Sequence, residues 1–328
     1  MAEISLPPGF QLRPASLDDL DAVAELTRLF CTDEGDSFMA ESAEDLRNDW
    51  SAPGRDITRD AWVVIAPGGQ LVGYEEGLDR HAHAVLFGGG YVHPDYQGMG
   101  IGTALVRRLE VWAQHTASVH APDLQVIMDM GGINGDHKES HALLEAEGYQ
   151  PARYFWRMQI TLDAAPAAPA WPDGIRTRPF EPEYQARAVY EADEEAFQDH
   201  WGHLPTPFER WKHRRMLEHP LDPALWHIAW DGEEVAGYSL SHMRQDIGWV
   251  SNLGVRRPWR KCGLGLALLL QSFAAFYERG IRQVGLGVDA DHPTGATRLY
   301  EKAGMEVVQS YITYRKFLRP GREISVQS

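Results

Sequence analysis

Arg256 to Gly265, RRPWRKCGLG, sets four positive charges (Arg256, Arg257, Arg260, Lys261) directly before a Gly-x-Gly in a chain that is otherwise acidic. Such a cluster needs an anionic partner or a bland reason, and some of the four charges must simply face solvent. A strand that turns through glycines into a helix offers an anion a seat: unpaired N–H groups at the positive end of the helix, with no Cβ to hold an oxyanion away. An upstream stretch, His93 to Gly102 (HPDYQGMGIG), repeats the glycines without arginine or lysine and adds Asp95. Neither copy is a P-loop, which needs Gly-Lys-Ser/Thr. Neither is a dinucleotide fingerprint, because Leu105 and Leu268 stand where a third glycine belongs. Gly88 to Gly90 reads as a β-bulge or a tight approach and not as another phosphate loop.

The elements that position these turns occur twice. LRP ending at Pro14 matches TRP ending at Pro179, a shift of 165 residues. Trp62 to Tyr74 matches Trp226 to Tyr238 at 164, and the Gly-x-Gly pairs Gly100/Gly102 and Gly263/Gly265 match at 163. ALLEAEGY with Gly148 matches RLYEKAGM with Gly304 at 156. Matches that keep their order at so steady an offset describe a tandem repeat. Residues 1–161 and 175–328 are expected as two domains, joined by a Pro/Ala-rich linker, Leu162 to Gly174.

Each half reads as a helical region (around Asp18 to Phe30 and Pro182 to Phe197), then strands near Trp62 to Ile65 and Leu71 to Tyr74, or Trp226 to Trp230 and Val235 to Leu240. A strand into the glycine turn follows. The next helix carries Leu105, Leu109 and Trp112 on one face; its counterpart runs from Leu266 to Arg279 and stops at Gly280. A strand, a helix and a last strand complete each half, an α/β fold with a mixed (α+β) sheet.

The 328 residues carry 47 acidic and 31 basic side chains, a formal charge of −16. Nucleic acid is a poor partner for that field, since duplex binding is dominated by phosphate neutralisation. A cationic small substrate suits it better. No apolar run approaches the roughly 20 residues of a membrane span, and the start of the chain lacks a signal-peptide pattern. Cys31 and Cys262 are the only cysteines, and neither sits in a metal-ligand spacing. The expectation is a cytoplasmic protein without a disulfide framework. His137 and His141 stand four apart with no third ligand, so they read as ordinary surface residues and no metal is expected.

Both turns share Gln/Arg-x-x-Gly-x-Gly: Gln97, Gly100, Gly102 and Arg260, Gly263, Gly265. Here the sequence resembles the GNAT superfamily of acyl-CoA-dependent N-acetyltransferases, and GATRLYEKAGM from Gly295 to Met305 looks like that family's closing motif. The tandem layout and Ala196 to His203 (AFQDHWGH) look most like the mycothiol synthase group of two-domain GNAT proteins, which acetylate a cysteinyl amino-sugar. The resemblance implies two tandem GNAT domains, acetyl-CoA as acyl donor, a small-molecule amine as acceptor, and direct attack of the neutral amine on the thioester. It implies pyrophosphate binding along Arg260, Lys261, Gly263, Gly265, Leu266 and Ala267, with the backbone of Leu253 to Val255 along the pantetheine arm. Val92, Gln97, Gly98, Gly100, Gly102 and Thr103 are their counterparts upstream.

By the same resemblance Tyr300 is the catalytic acid, for a phenol of pKa about 10 beside a departing thiolate can donate a proton. Leu144 stands at the equivalent place upstream, so the first half is expected to be catalytically degenerate. It could bind CoA idly, complete the cleft or stabilise its partner. Where the group tends to carry a glutamate base, Trp249 and Leu86 stand instead. Water, His242, Asp246 or the acidic run Glu191 to Glu195 are left as bases, although that run also reads as a solvated helix face. Cys262 is required by no such chemistry. A CoA-binding pseudoenzyme is the rival from another class.

Overall fold

The computed structural model describes residues 4–323 other than 53, 82, 121, 199, 202, 204, 218–220 and 292–294. The first copy runs β1 (Gln11–Pro14), α1 (Leu20–Asp33), α2 (Ala43–Trp50), α3 (Ile57–Asp60), β2 (Ala61–Ile65), β3 (Leu71–His81), β4 (Val85–Val92), α4 (Ile101–His120), β5 (Val126–Asn134), α5 (Lys138–Ala146) and β6 (Gln150–Thr161). The second runs β7 (Ile175–Arg178), α6 (Pro182–Phe197), α7 (Phe208–Lys212), β8 (Trp226–Asp231), β9 (Glu234–Arg244), β10 (Ile247–Val255), α8 (Leu264–Glu278), β11 (Gln283–Asp289), α9 (Ala296–Lys302) and β12 (Glu306–Arg319). A π-helical turn, His213–Leu217, continues α7.

The apolar period places the helices as expected. Leu105, Leu109 and Trp112 of α4 are 1%, 0% and 5% exposed. A Cβ at Gly88 would fall 2.2 Å from Leu109, so the glycine run in β4 marks a tight approach of helix to strand. α8 ends in the Schellman pattern at Gly280 (φ +80°), with Ile281 N–H donating to the Phe276 carbonyl and Gly280 N–H to that of Tyr277. Among the described residues no helix is long and apolar enough to cross a membrane.

Packing divides the chain into two compact units, one running to Tyr154 and taking in the chain again from Tyr311, the other Phe155–Ser310. In the first the strand order is β1-β2-β3-β4-β5-β12; in the second it is β7-β8-β9-β10-β11-β6. Each sheet is antiparallel except for one parallel pair, β4 with β5 and β10 with β11. The outer partner of that pair is supplied from the other half of the sequence. Phe155–Thr161 of β6 lies antiparallel to β11, and Tyr311–Arg319 of β12 lies antiparallel to β5. The segment expected as a linker follows β6 and lies in the second unit.

The exchanged strand carries core residues. Tyr314 is 2% exposed in the cluster around Leu109, Trp112, Met128 and Tyr149. Its hydroxyl donates to Glu145 Oε1 at 3.3 Å and lies 2.9 Å from His141 Nδ1. Tyr311 donates to the buried Asp36 at 2.5 Å. Tyr314→Ala should cost about 3–5 kcal/mol, read from the urea midpoint of the full chain.

Glu75 on β3 is 3% exposed and its Oε1 is buried without a partner. Burial, with the Glu76 charge second, pushes its carboxyl up to about 8. The folded pKa lies above the unfolded value, so this stability is present below about pH 4.5 and is lost as pH rises towards 8. Glu75→Gln should stabilise the protein at pH 8 by a few kcal/mol and flatten the stability–pH curve over that window, measured by urea unfolding at several pH values.

Candidate functional site

In the second unit β10 and β11 pair only at Gly248↔Val284, Trp249↔Gly285 and Val250↔Leu286. The register of β10 against β9 shifts between Val250 and Asn252, then continues to Val255↔Gly237. From Ser251 to Val255 the edge of β10 that faced β11 has left its parallel partner, which frees main-chain donors and acceptors for an extended ligand. Leu253 and Val255, predicted on the pantetheine arm, are half-buried on this stretch.

Beyond Val255 the chain makes a short 3₁₀ turn, Arg257–Trp259, and enters α8. Lys261 (φ +66°) and Gly263 (φ +89°) both take the left-handed conformation. Gly263 is the N-cap of α8, with no side chain capping the first turn, and nothing lies within 4 Å of its ideal Cβ. Gly265 has another role: its Cβ would lie 3.0 Å from Leu299 Cδ1, so it lets α8 pack on α9. Leu266 is half-buried and Ala267 fully buried, its N–H donating to the Gly263 carbonyl.

The four cations are not equivalent. Arg256 Nε donates to Glu195 at 2.7 Å and Nη1 to the Val235 carbonyl. Arg260 donates through Nε to the Val255 carbonyl and through Nη2 to that of Ala196, at 3.0 and 3.1 Å, tying the loop to the end of α6. Arg257 and Lys261 are exposed; Lys261 has no ion pair among the described residues.

Tyr300 on α9 is 8% exposed and packs in one cluster with Val250 and Leu286, the last registered pair of the parted strands. Among the described residues its hydroxyl has no hydrogen-bond partner, and it is not sealed from solvent. Burial pushes the phenol up to about 12. On the other face of β10 Trp249 and Ser251, which flank Val250, line a cavity of about 370 Å³ with Leu240, His242, Arg214, Arg215 and Arg244. His242 Nδ1 lies 2.7 Å from Ser251 Oγ.

The acidic run of α6 is not the solvated face it resembled. Asp193 is 5% exposed and accepts from Trp211 Nε1 (2.7 Å), Tyr238 hydroxyl (2.6 Å) and Asn252 Nδ2 (2.8 Å). One carboxylate thus holds α6, α7, β9 and β10. Glu194 accepts from Thr206 N–H, and Glu195 is taken by Arg256. Asp246 is exposed at the β9–β10 turn and is not on the cavity lining.

The first unit repeats the frame. β4 and β5 pair from Val85↔Ile127 to Gly88↔Met130 and then part, short of Val92. Gly98 and Gly100 have φ +72° and +83° with open space at Cβ, while Gly102 packs on Leu143 as Gly265 does on Leu299. Gln97 Nε2 is buried without a partner, and Thr103 is half-buried in the first turn of α4. Leu144, 3% exposed, occupies the place of Tyr300. Arg55 fills the region beside Glu76, the counterpart of Leu240. Its Nη2 lies 2.5 Å from Glu76 and 3.3 Å from Asp49, and its Nη1 donates to the Gly77 carbonyl.

His137 and His141 are half-buried, not simple surface residues. His137 Nδ1 meets Glu34 at 2.9 Å, and His141 bridges Tyr314 and the Gly135 carbonyl. Cys262 is exposed, its thiol donating to the Trp259 carbonyl. Of the segment Ala196 to His203, Asp199 and Gly202 lie outside the described residues. Sequence reading weighed Asp193 only as part of the acidic run, not as a structural clasp, and missed Arg214 and Arg215, whose only signal was two adjacent arginines in HRRML.

The chain matches the sequence profile of the Acetyltransferase (GNAT) family twice, over residues 23–129 and 186–305. It is 31% identical over 238 residues to a mycothiol acetyltransferase of Thermobispora bispora, covering 69% of this chain and 74% of that one. A solved GCN5-related N-acetyltransferase from Sphaerobacter thermophilus superimposes with a TM-score of 0.83 at 40% identity, covering 98% of this chain and all of the other. A tandem GNAT protein from the clavulanic acid biosynthesis pathway shares the fold, with a TM-score of 0.69 at 18% identity over 95% of this chain and all of that one. With one family match in each unit, and with the glycine turn and parted strands repeated in both, the chain belongs to the GNAT acetyltransferases as a tandem member.

Proposed function

We propose that this enzyme transfers the acetyl group of acetyl-CoA to a primary amine of a small molecule, and that the second unit carries the chemistry. The observation behind this reading is the parting of β10 from β11, with a tyrosine packed against one face of the split and a cavity on the other. Acetyl-CoA would supply the thioester and depart as thiol. The free edge of Ser251 to Val255 suits an extended amide-bearing arm. The open space over Gly263, the uncapped first turn of α8 and the exposed Lys261 suit a pyrophosphate. Gly265, Leu266 and Ala267 contribute backbone, not side chains.

Tyr300 then acts on the leaving sulfur. With a pKa of about 12 the phenol is protonated at neutral pH. Giving its proton up entirely to a thiolate of ordinary pKa would cost about 5 kcal/mol. Its contribution is therefore a hydrogen bond that strengthens as charge develops on sulfur. His242 lines the cavity with Nε2 sealed from solvent and Nδ1 2.7 Å from Ser251 Oγ, so the proton of the attacking amine would reach it through the Ser251 hydroxyl, which gives its own proton to Nδ1 as it takes that of the amine. The first unit has leucine at 144 in place of the phenol and an Arg55 bonded to Glu76 and Asp49, and serves as a degenerate copy with weaker hold on CoA.

Acetyl-CoA turnover across a panel of amines, followed through free-thiol release, tests the reading. Tyr300→Phe and His242→Gln should each lower kcat about 100-fold, and Tyr300→Phe should leave CoA affinity within about threefold; unchanged turnover in Tyr300→Phe removes that residue from the mechanism. Calorimetry on the full chain should show one tighter CoA site that Gly263→Val abolishes and Gly100→Val spares. CoA binding with no thiol release from any amine would favour a pseudoenzyme. The panel should include a cysteinyl amino-sugar, the acceptor suggested by the relatives named mycothiol acetyltransferase.

A further inference from the structure

The cavity beside Trp249 and Ser251 has a field opposite to that of the whole chain. Arg214, Arg215, Arg244 and His242 line it, and among the described residues no carboxylate does. Arg214 faces Glu194 electrostatically, and Arg244 stacks over the Trp249 ring at 5.9 Å. Arg215 is half-buried and makes no ion pair or hydrogen bond among the described residues; its Nε is sealed from solvent without a partner. Its Nη groups are not sealed, so an oxyanion in the cavity would meet that edge of the guanidinium and offset the cost of taking it partly out of water.

The first unit shows the same arrangement with carboxylates supplied from within, although Arg55 Nε, like Arg215 Nε, is sealed without a partner. Trp50 and Trp211 hold corresponding places, donating to Tyr74 and to the Tyr238 partner Asp193. A short way beyond each tryptophan comes an arginine, Arg55 or Arg215. Arg55 is closed by the carboxylates of Glu76 and Asp49. In the second unit Leu240 stands in place of Glu76, so the arginine is kept while the β-strand carboxylate is gone.

We infer that the acceptor amine carries an oxyanion, a carboxylate or a phosphate, that docks on the fork of Arg215 with Arg214 and Arg244 around it. The inference rests on the acetyl-transfer reading for the word acceptor, not for the anion site itself. Leu221, Trp226, Leu240 and Trp249 supply an apolar wall for the rest of the molecule. An anion held there leaves the amine to reach His242 and Ser251, at the mouth of the strand split. The glycine turn lies beyond Val255, roughly 13 Å further along β10 at about 3.3 Å per residue, which separates this site from the pyrophosphate seat.

The test uses the full chain and acceptor pairs that share an amine and differ in the anion: phenylalanine with phenethylamine, and O-phosphoethanolamine with ethanolamine. The anionic member of at least one pair should be preferred in kcat/KM by about 10-fold or more. Which pair responds separates carboxylate from phosphate. Arg215→Ala should bring that ratio close to one and Arg215→Lys should retain part of it, since an ammonium replaces the charge but not the fork. Arg214→Ala, at an exposed position, should reduce the ratio several-fold and serves if Arg215→Ala does not fold.

Calorimetry with N-acetylphenylalanine, N-acetylphenethylamine and inorganic phosphate, without acetyl-CoA, reads the anion site apart from catalysis. Anion binding that Arg215→Ala abolishes, with no acceptor turned over, would uphold the site and overturn the acetyl-transfer reading. Turnover of the neutral members at equal or better kcat/KM, unaffected by the Arg214 and Arg215 variants, would overturn the anion site and leave acetyl transfer standing. Absence of both turnover and anion binding would overturn both.

Discussion

The candidate site depends on β10 leaving β11 after Val250. A parallel pair that ends early inside a sheet strands backbone N–H and C=O groups, which is costly unless something else bonds them. The register shift at Ser251 starts the divergence, and the buried Asp193 carboxylate holds Asn252, just beyond it, in place together with Tyr238 and Trp211. At the far end Arg260 grips the Val255 carbonyl. The split is thus braced at both ends by charged side chains, Asp193 at one and Arg260 at the other. Its recurrence after Gly88 in the first unit makes it a property of the repeated frame, not of one copy.

What separates the copies is where charge and hydroxyl groups fall on that frame. Both use one glycine for a left-handed turn and a second so that a leucine, Leu143 or Leu299, can pack against the helix start. The first unit closes its arginine with its own carboxylates and fills the tyrosine position with leucine. The second leaves an arginine open to a cavity and keeps the phenol. One frame therefore holds an arginine paired with the unit's own carboxylates in one unit and an arginine without an ion pair among the described residues in the other. The difference comes down to pairs such as Glu76 against Leu240 and Leu144 against Tyr300.

The exchanged strands bind this asymmetry into a single folding problem. Each unit needs a strand from the opposite half of the sequence before its sheet is complete, and Tyr311 and Tyr314 bring core hydrogen bonds with them. Contacts this distant along the chain are slow to form, because loop closure must precede the packing that rewards it. Neither copy completes its sheet alone, since β6 comes from the first half of the sequence and β12 from the second.

The repeat, the α/β class, the helix faces and the glycine turns were legible in the sequence because each rests on local periodicity or on a backbone requirement that only certain residues meet. A helix around Pro182 to Phe197 was read from the sequence, and so was Gly280 as the stop of the helix after the second glycine turn. The roles of charged residues were not legible in that way. Arg256 and Arg260, read as seats for phosphate, are engaged by Glu195 and by carbonyls; the acidic run of α6 is a structural clasp; Arg215, which makes no ion pair among the described residues, lies in HRRML, where no motif points. Whether a charge is spent or available depends on which partner the fold brings within about 3 Å, and for Arg256 and Glu195 that partner is some sixty residues away. Sequence by itself determined two copies of one backbone plan, because turns and amphipathic faces are local. Only the tertiary structure decided which charges were left for a ligand, because ion pairing is a matter of distance in space.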